Sequence, residues 1–128
     1  MFHILVVDDD KNTRRLLRAV LEKEGYTVFT SENGEEALAR LGEVHVDLVV
    51  LDIMMPTMDG YEFTRVLRES NNDMPILMVS AKQLPADRHR GFIVGTDDYI
   101  TKPIDEREML LRIKALLRRA KIVTEHRI

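Results

Sequence analysis

The sequence predicts an α/β domain: five parallel strands in one sheet, wound on both faces by helices. Three observations predict it. Short apolar runs of strand length alternate with longer segments of helical period, five of each. Two of the runs, Ile4-Leu5-Val6-Val7 and Leu48-Val49-Val50-Leu51, do not alternate with polar residues. Both their faces must be covered, as in the inner strands of a parallel sheet. Polar residues gather directly after the runs, where the carboxyl ends of the strands would lie.

The first strand spans 3–7 and the first helical segment 11–24. Gly25 follows that helix, where a left-handed cap is expected. A strand over 27–30 leads to a helix over 34–41, and a strand over 47–51 leads to the Asp59-Gly60 turn and a helix over 60–69. A fourth strand over 75–80 precedes a helix over 85–94, and a fifth over 98–100 precedes a helix over 105–120. Pro56 and Pro103 sit just beyond strand ends, where they disturb no ladder. In the last helix Met109, Leu110, Ile113, Leu116 and Leu117 form one apolar stripe. From Arg118 to Ile128 the apolar period fades and the chain is basic, so residues 121–128 read as a linker or tail.

Composition bounds the chemistry. The chain has 128 residues, one domain's worth. Its apolar fraction is 45% and its charged fraction 32%, which suits a globular fold and argues against disorder. It has no cysteine, so disulfides, zinc–thiolate sites and thiol catalysis are excluded together. No apolar run approaches the ~18 residues of a membrane span, and no secretory signal is expected. A net charge of −3 argues against nucleic acid as the main ligand. A reducing cytoplasm is the default location. The seven methionines read as core filler. His3, His45, His89 and His126 show no ligand spacing, and no metal is assigned to them.

The informative residues follow the strands. Asp8, Asp9 and Asp10 follow the first, Asp52 the third and Lys102 the fifth, while Ser80 ends the fourth. In the flavodoxin-like strand order 2-1-3-4-5, strands 1, 3, 4 and 5 lie side by side, and all these groups converge on one crevice. Clustered carboxylates raise one another's pKa, and a hard dication relieves the repulsion. An oxygen-only donor set suits Mg²⁺. A carboxylate is also a competent nucleophile toward phosphorus. Lys102 could match the charge of a phosphoryl group and Ser80 could donate to it. Each residue also has a plainer reading. Asp10 reads best as a helix N-cap. Asp8 and Asp9 could be helix-start residues, Asp52 a turn residue, Ser80 a strand-end hydroxyl, Lys102 a solvated loop lysine and Tyr99 a half-buried edge residue.

Five stretches carry a resemblance: Ile4-Leu5-Val6-Val7-Asp8-Asp9-Asp10, Asp47-Leu48-Val49-Val50-Leu51-Asp52-Ile53-Met54-Met55-Pro56, Met58-Asp59-Gly60, Val79-Ser80-Ala81-Lys82 and Gly95-Thr96-Asp97-Asp98-Tyr99-Ile100-Thr101-Lys102-Pro103. In this order, across residues 3–120, the chain closely resembles the receiver domain of bacterial two-component response regulators. The resemblance implies a CheY-like (βα)₅ fold, a receiver over 1–120 and an output domain outside this chain. It implies that Asp52 is the phosphoacceptor. Asp8, Asp9, Asp52 and the backbone carbonyl of Met54 would hold Mg²⁺. Ser80 would be the switch hydroxyl, Lys102 the phosphate-pairing lysine and Tyr99 the aromatic switch that turns inward. The Lys102–Pro103 bond would be cis. The donor would be a phosphohistidine on a sensor histidine kinase.

The last third resembles the winged-helix, OmpR/PhoB-type transcription regulators. Glu108, Arg112 and Arg119 fall within an arc of about 40° on the last helix, opposite its apolar stripe. By that resemblance the fourth helical segment, fifth strand and fifth helical segment form a two-fold homodimer face. Arg88 would pair with Glu108, Asp98 with Arg112 and Asp97 with Arg119. The plainer reading is a solvated charged face. DNA would be bound only through the output domain.

Three positions depart from the family pattern. Thr96 stands where Ala is usual and Ile104 where Phe is usual. Met54 puts a thioether beside the phosphoryl group, which predicts slow self-hydrolysis. Lys82, two residues after Ser80, could act either way. The chain is expected to catalyse only its own phosphorylation and dephosphorylation, not to be an enzyme that turns over substrate. Two rivals share parts of the pattern. An aspartyl-nucleophile phosphatase would need a capping segment, for which the length leaves no room. An FMN-binding flavodoxin would need a phosphate-cradling loop after strand 1, where Asp8-Asp9-Asp10 would repel phosphate.

Overall fold

The computed structural model describes residues 1–81, 89–90, 92 and 94–126, with the side chains of 122–126 excepted. Five strands, β1 (His3–Val7), β2 (Thr27–Ser31), β3 (Leu48–Asp52), β4 (Ile76–Ser80) and β5 (Asp98–Thr101), form one parallel sheet in the order β2-β1-β3-β4-β5. Four helices are described over their whole length: α1 (Lys11–Lys23), α2 (Gly34–Glu43), α3 (Gly60–Glu69) and α4 (Glu106–His126). The helix expected over 85–94 lies largely outside the described residues, although His89, Arg90, Phe92 and Val94 are helical. Arg88 and Lys82 also lie outside them.

The unbroken apolar runs are explained by two cores. Residues of β1 alternate between them: Ile4 and Val6 join one, Leu5 and Val7 the other. The same alternation separates Leu48 and Val50 from Val49 and Leu51. The first core is closed by Leu17 and Leu21 of α1 and by Met109, Ile113, Leu116 and Leu117 of α4. The second is closed by Ala37 of α2 and by Tyr61, Phe63 and Leu67 of α3. Every residue from Ile4 to Val7 is fully buried. At roughly 1.5–3 kcal/mol per buried aliphatic side chain, these strands anchor the domain.

Three helices start on a capping side chain. Asp10, Asn33 and Asp59 accept the amides of Asn12, Glu36 and Glu62, satisfying donors that the first helical turn leaves open. Gly25 has φ +92° and closes α1 as expected. Its amide donates to Glu22 and that of Tyr26 to Leu21, the paired bonds of a Schellman ending. Gly60 has a different task. A Cβ there would lie 2.8 Å from Ile53 Cα and 2.9 Å from the Asp52 carbonyl oxygen. Only glycine lets α3 start this close to the end of β3.

Most boundaries fall within one or two residues of the sequence expectation, and two elements differ in ways that bear on the fold. Helix α4 continues to His126 instead of stopping at 120, because 121–126 contain no glycine or proline to end it. The stretch read as a linker therefore begins as helix. Strand β3 starts at Leu48, not Asp47, and takes in Asp52. Asp47 instead turns its carboxylate onto the amide of His3 at 2.7 Å.

Candidate functional site

Strand register builds the site. Val7 lies beside Leu51, Asp52 beside Val79 and Ser80 beside Thr101. The residues at the strand ends therefore meet at one rim of the sheet. Asp8 (2% exposed) and Asp52 (4%) are buried, and Asp9 is exposed at the mouth. One carboxylate oxygen from each of the three lies within 4.8 Å of the others. Ser80 is fully buried at the end of β4, and its carbonyl accepts the Lys102 amide at 2.7 Å. The Lys102–Pro103 bond is cis, as expected.

The Lys102 ammonium is shared. It lies 3.5 Å from Asp8 Oδ2 and 3.7 Å from Asp52 Oδ2. Asp8 is further held because its Oδ1 accepts the Asp10 amide at 2.9 Å. The Arg14 guanidinium donates to the Asp8 carbonyl at 2.7 Å, tying α1 to the site. Asp52 has less support: its Oδ1 accepts the Met54 amide at 3.2 Å. Burial, and then the charge of Asp8, push the Asp52 carboxyl up to about 6, although Lys102 and the Met54 amide oppose the rise. One cation does not balance three acids.

The acidic pocket fits a hard dication. Three carboxylates and no imidazole or thiol converge here, the donor set that Mg²⁺ accepts. Asp8, Asp9 and Asp52 could hold such an ion. Asp10 cannot join them, because its carboxylate is engaged as the α1 cap, accepting the Asn12 amide at 3.2 Å and the Thr13 hydroxyl at 2.7 Å. That hydroxyl bond also holds its carboxyl below the usual range.

The remaining candidate residues fall into two groups. Tyr99 is 1% exposed and already lies inward, in the core beneath α2 and α3. The Thr96 departure is accommodated: its buried hydroxyl donates to the carbonyls of Ile76 and Asp98 at 3.1 and 2.9 Å. Ile104 packs on the core of α1 and α4. Met54 is exposed on the rim. Of the charged residues proposed for a dimer face, Asp97, Asp98, Glu108 and Arg112 have partners within the chain. Arg112 grips both oxygens of Asp98 at 2.9 and 3.0 Å and reaches Glu108 at 3.1 Å. The Asp98 carboxylate holds the Arg112 guanidinium above its ordinary pKa. Within the chain Asp97 is held by Arg68 at 3.0 Å and by the Ile76 amide at 2.8 Å.

Sequence reasoning does not single out Arg68, and it assigns no metal to the histidines. Arg68 also donates to the carbonyls of Gly95 and Asn72, at 3.0 and 2.7 Å, and stitches α3 to the approach to β5. His3 and His45, which have no ligand spacing along the chain, are brought together with Asp47 at the opposite rim. The signal was latent in topology: parallel pairing of β1 with β3 places Ile4 beside Leu48.

A five-stranded parallel sheet carries three carboxylates, a hydroxyl and a lysine on its carboxyl rim, the arrangement that the resemblance to receiver domains implies. A family model described as "Response regulator receiver domain" matches residues 4–114, and this chain belongs to that family. The transcriptional regulatory protein ResD of Bacillus subtilis is 54% identical over 117 residues, 91% of this chain and 48% of that protein. The alkaline phosphatase synthesis transcriptional regulatory protein PhoP of the same organism is 46% identical over 119 residues, 93% of this chain and 50% of its own length. The chain thus spans about half the length of these curated relatives. Among solved structures, the receiver domain of the TMAO respiratory system response regulator TorR superposes with a TM-score of 0.87 at 37% identity, covering 94% of this chain and 99% of that one. The receiver domain of the Francisella response regulator 1452 gives 0.89 at 32% identity, covering 93% and 98%. No helix among the described residues is long and apolar enough to cross a membrane.

Proposed function

We propose that this receiver accepts a phosphoryl group on Asp52 from a phosphohistidine of a sensor kinase, in the cytoplasm. The observation that carries the reading is Asp52 itself: buried, within 4.8 Å of Asp8 and Asp9, and 3.7 Å from Lys102. An Asp52 oxygen attacks phosphorus, a new P–O bond forms, and the P–N bond of the donor breaks toward the leaving imidazole. Mg²⁺ held by Asp8, Asp9, Asp52 and the Met54 carbonyl would offset the charge on the phosphoryl oxygens. Lys102 then releases its two carboxylates and pairs with the phosphoryl group, and the Ser80 hydroxyl donates to it. The chain turns over no free substrate in this reading, and so is not an enzyme.

The output is a shift in a pre-existing equilibrium toward a homodimer that acts through a DNA-binding domain beyond this chain. Transcriptional roles in the names of ResD and PhoP support that destination. The expected face includes Arg88, Asp97, Asp98, Glu108, Arg112 and Arg119. Dimerisation by charge pairing would exchange the intrachain Arg112–Asp98 and Arg68–Asp97 pairs for contacts between copies.

The test is intact-mass analysis after incubation with acetyl phosphate, with and without Mg²⁺, beside Asp52→Asn. A single Mg²⁺-dependent phosphoryl adduct, absent from the variant, is expected, with a shift to dimer on a sizing column. Wild-type protein that binds Mg²⁺ yet gains no adduct would sink the assignment. Turnover of a generic phosphate ester would favour the phosphatase reading. Because the exposed Met54 thioether cannot orient water, the adduct should persist far beyond seconds, followed by its decay in the same mass assay.

A further inference from the structure

We propose that His3, His45 and Asp47 form a second metal site, for a zinc-type transition-metal dication, at the rim of the sheet opposite the phosphoacceptor. One ring nitrogen of each histidine and one carboxylate oxygen of Asp47 lie within 4.8 Å of one another. The imidazoles of His3 and His45 meet edge to face, with ring centroids 5.5 Å apart. His45 Nε2 lies 2.8 Å from Asp47 Oδ1.

The sheet orders this cluster before any metal arrives. The Asp47 amide donates to the His3 carbonyl at 2.8 Å, and the His3 amide donates to Asp47 Oδ2 at 2.7 Å. That second bond fixes the carboxylate and leaves Oδ1 directed at His45, the outer-shell orientation that metal-bound carboxylates use. His3 Nδ1 is buried and has no hydrogen-bond partner. A buried polar nitrogen without a partner is costly, and a ligated ion is one way to satisfy the ring. The ring of His3 is further packed near Phe29, 6.1 Å between centroids, which limits its freedom. His45 is the exposed member, with a side chain 71% exposed and so reachable by an ion from solvent.

The donor set selects the metal class. Two imidazoles and one carboxylate suit Zn²⁺, with water completing a tetrahedron, and are poorly matched to Mg²⁺. The acidic pocket has the reverse preference. Asp47 and Asp52 are the residues at the two ends of the β3 segment, five residues or about 16 Å apart. The two sites can therefore fill independently. Metal binding replaces the His45–Asp47 hydrogen bond and clips the loop before β3 to the start of β1. The folded chain binding an ion that the unfolded chain binds weakly gains stability by mass action.

The experiment is calorimetric titration of the full chain with ZnCl₂ in excess Mg²⁺, which occupies the acidic pocket. The arms are wild type, His45→Ala and Asp52→Asn. One Zn²⁺ per chain is expected for wild type, with affinity unchanged in Asp52→Asn and reduced by more than about tenfold in His45→Ala. Co²⁺ substitution supplies a second readout: the intense visible bands of a four-coordinate ion should appear in wild type and Asp52→Asn and be lost in His45→Ala. His45 is exposed, so that variant is expected to fold. No Zn²⁺ uptake, equal affinity in His45→Ala, or uptake lost in Asp52→Asn would each overturn the proposal. None of these outcomes depends on whether Asp52 is phosphorylated.

Discussion

The two rims of the sheet treat their carboxylates in opposite ways. At the amino rim Asp97 and Asp47 each have close partners. Asp97 holds Arg68 at 3.0 Å and the Ile76 amide at 2.8 Å, and Asp47 holds the His3 amide at 2.7 Å. At the carboxyl rim Asp8 and Asp52 divide one lysine between them at 3.5 and 3.7 Å, and Asp52 is pushed up to about 6. The first rim is arranged for stability. The second keeps like charges together at a cost, which an arriving cation or phosphoryl group can draw on. The same residue type thus serves opposite ends, and its neighbours decide which.

Three substitutions sharpen that contrast. The largest effect on stability is expected from Asp52→Asn. The folded carboxyl titrates near 6 against an ordinary 3.8, so the folded chain binds the extra proton between those values. Stability then falls as pH rises from about 4 to about 6 and stays lower above that, a cost of about 2–3 kcal/mol at neutral pH. Asp52→Asn should recover it in Mg²⁺-free buffer and flatten that part of the pH profile, measured by urea unfolding. Unchanged stability at pH 7 would mean that the acids at this rim do not strain the fold.

Arg68→Ala should do the opposite at the other rim. It removes three donations, to Asp97 and to the carbonyls of Gly95 and Asn72, and leaves Asp97 with only backbone support. A loss of about 2 kcal/mol is expected from the same unfolding experiment. The smallest effect is reserved for Asp10→Ala. Asp10 is at the carboxyl rim but acts as a cap, so its loss should lower stability, by less than Arg68→Ala does. A gain in stability there would place Asp10 among the repelling acids instead.

Much of this was legible along the chain, and the reasons are local. The runs 4–7 and 48–51 announce buried strands because they lack polar alternation, and acids placed directly after them can only sit at the carboxyl rim. Gly25 and Asp10 could be read because helix ends carry local chemical demands. What stayed hidden depends on long-range geometry. Arg68 meets Asp97 across 29 residues, and His3 meets Asp47 across 44, through sheet register that no single segment displays. The end of α4 is hidden for another reason: the apolar stripe fades near Ala120, but helical backbone continues to His126. Burial drives packing, and a helix can outlast the face that it buries.

That longer helix has a mechanical consequence. Among the described side chains Leu117 is the last of α4 in the core, and nine more residues of helix follow it to His126. At about 1.5 Å per residue this stretch is about 13 Å long. A tilt of only ~10° about Leu117 would carry its far end through ~2 Å. A helix of this length thus converts a small change of angle beside the sheet into a larger displacement at its end.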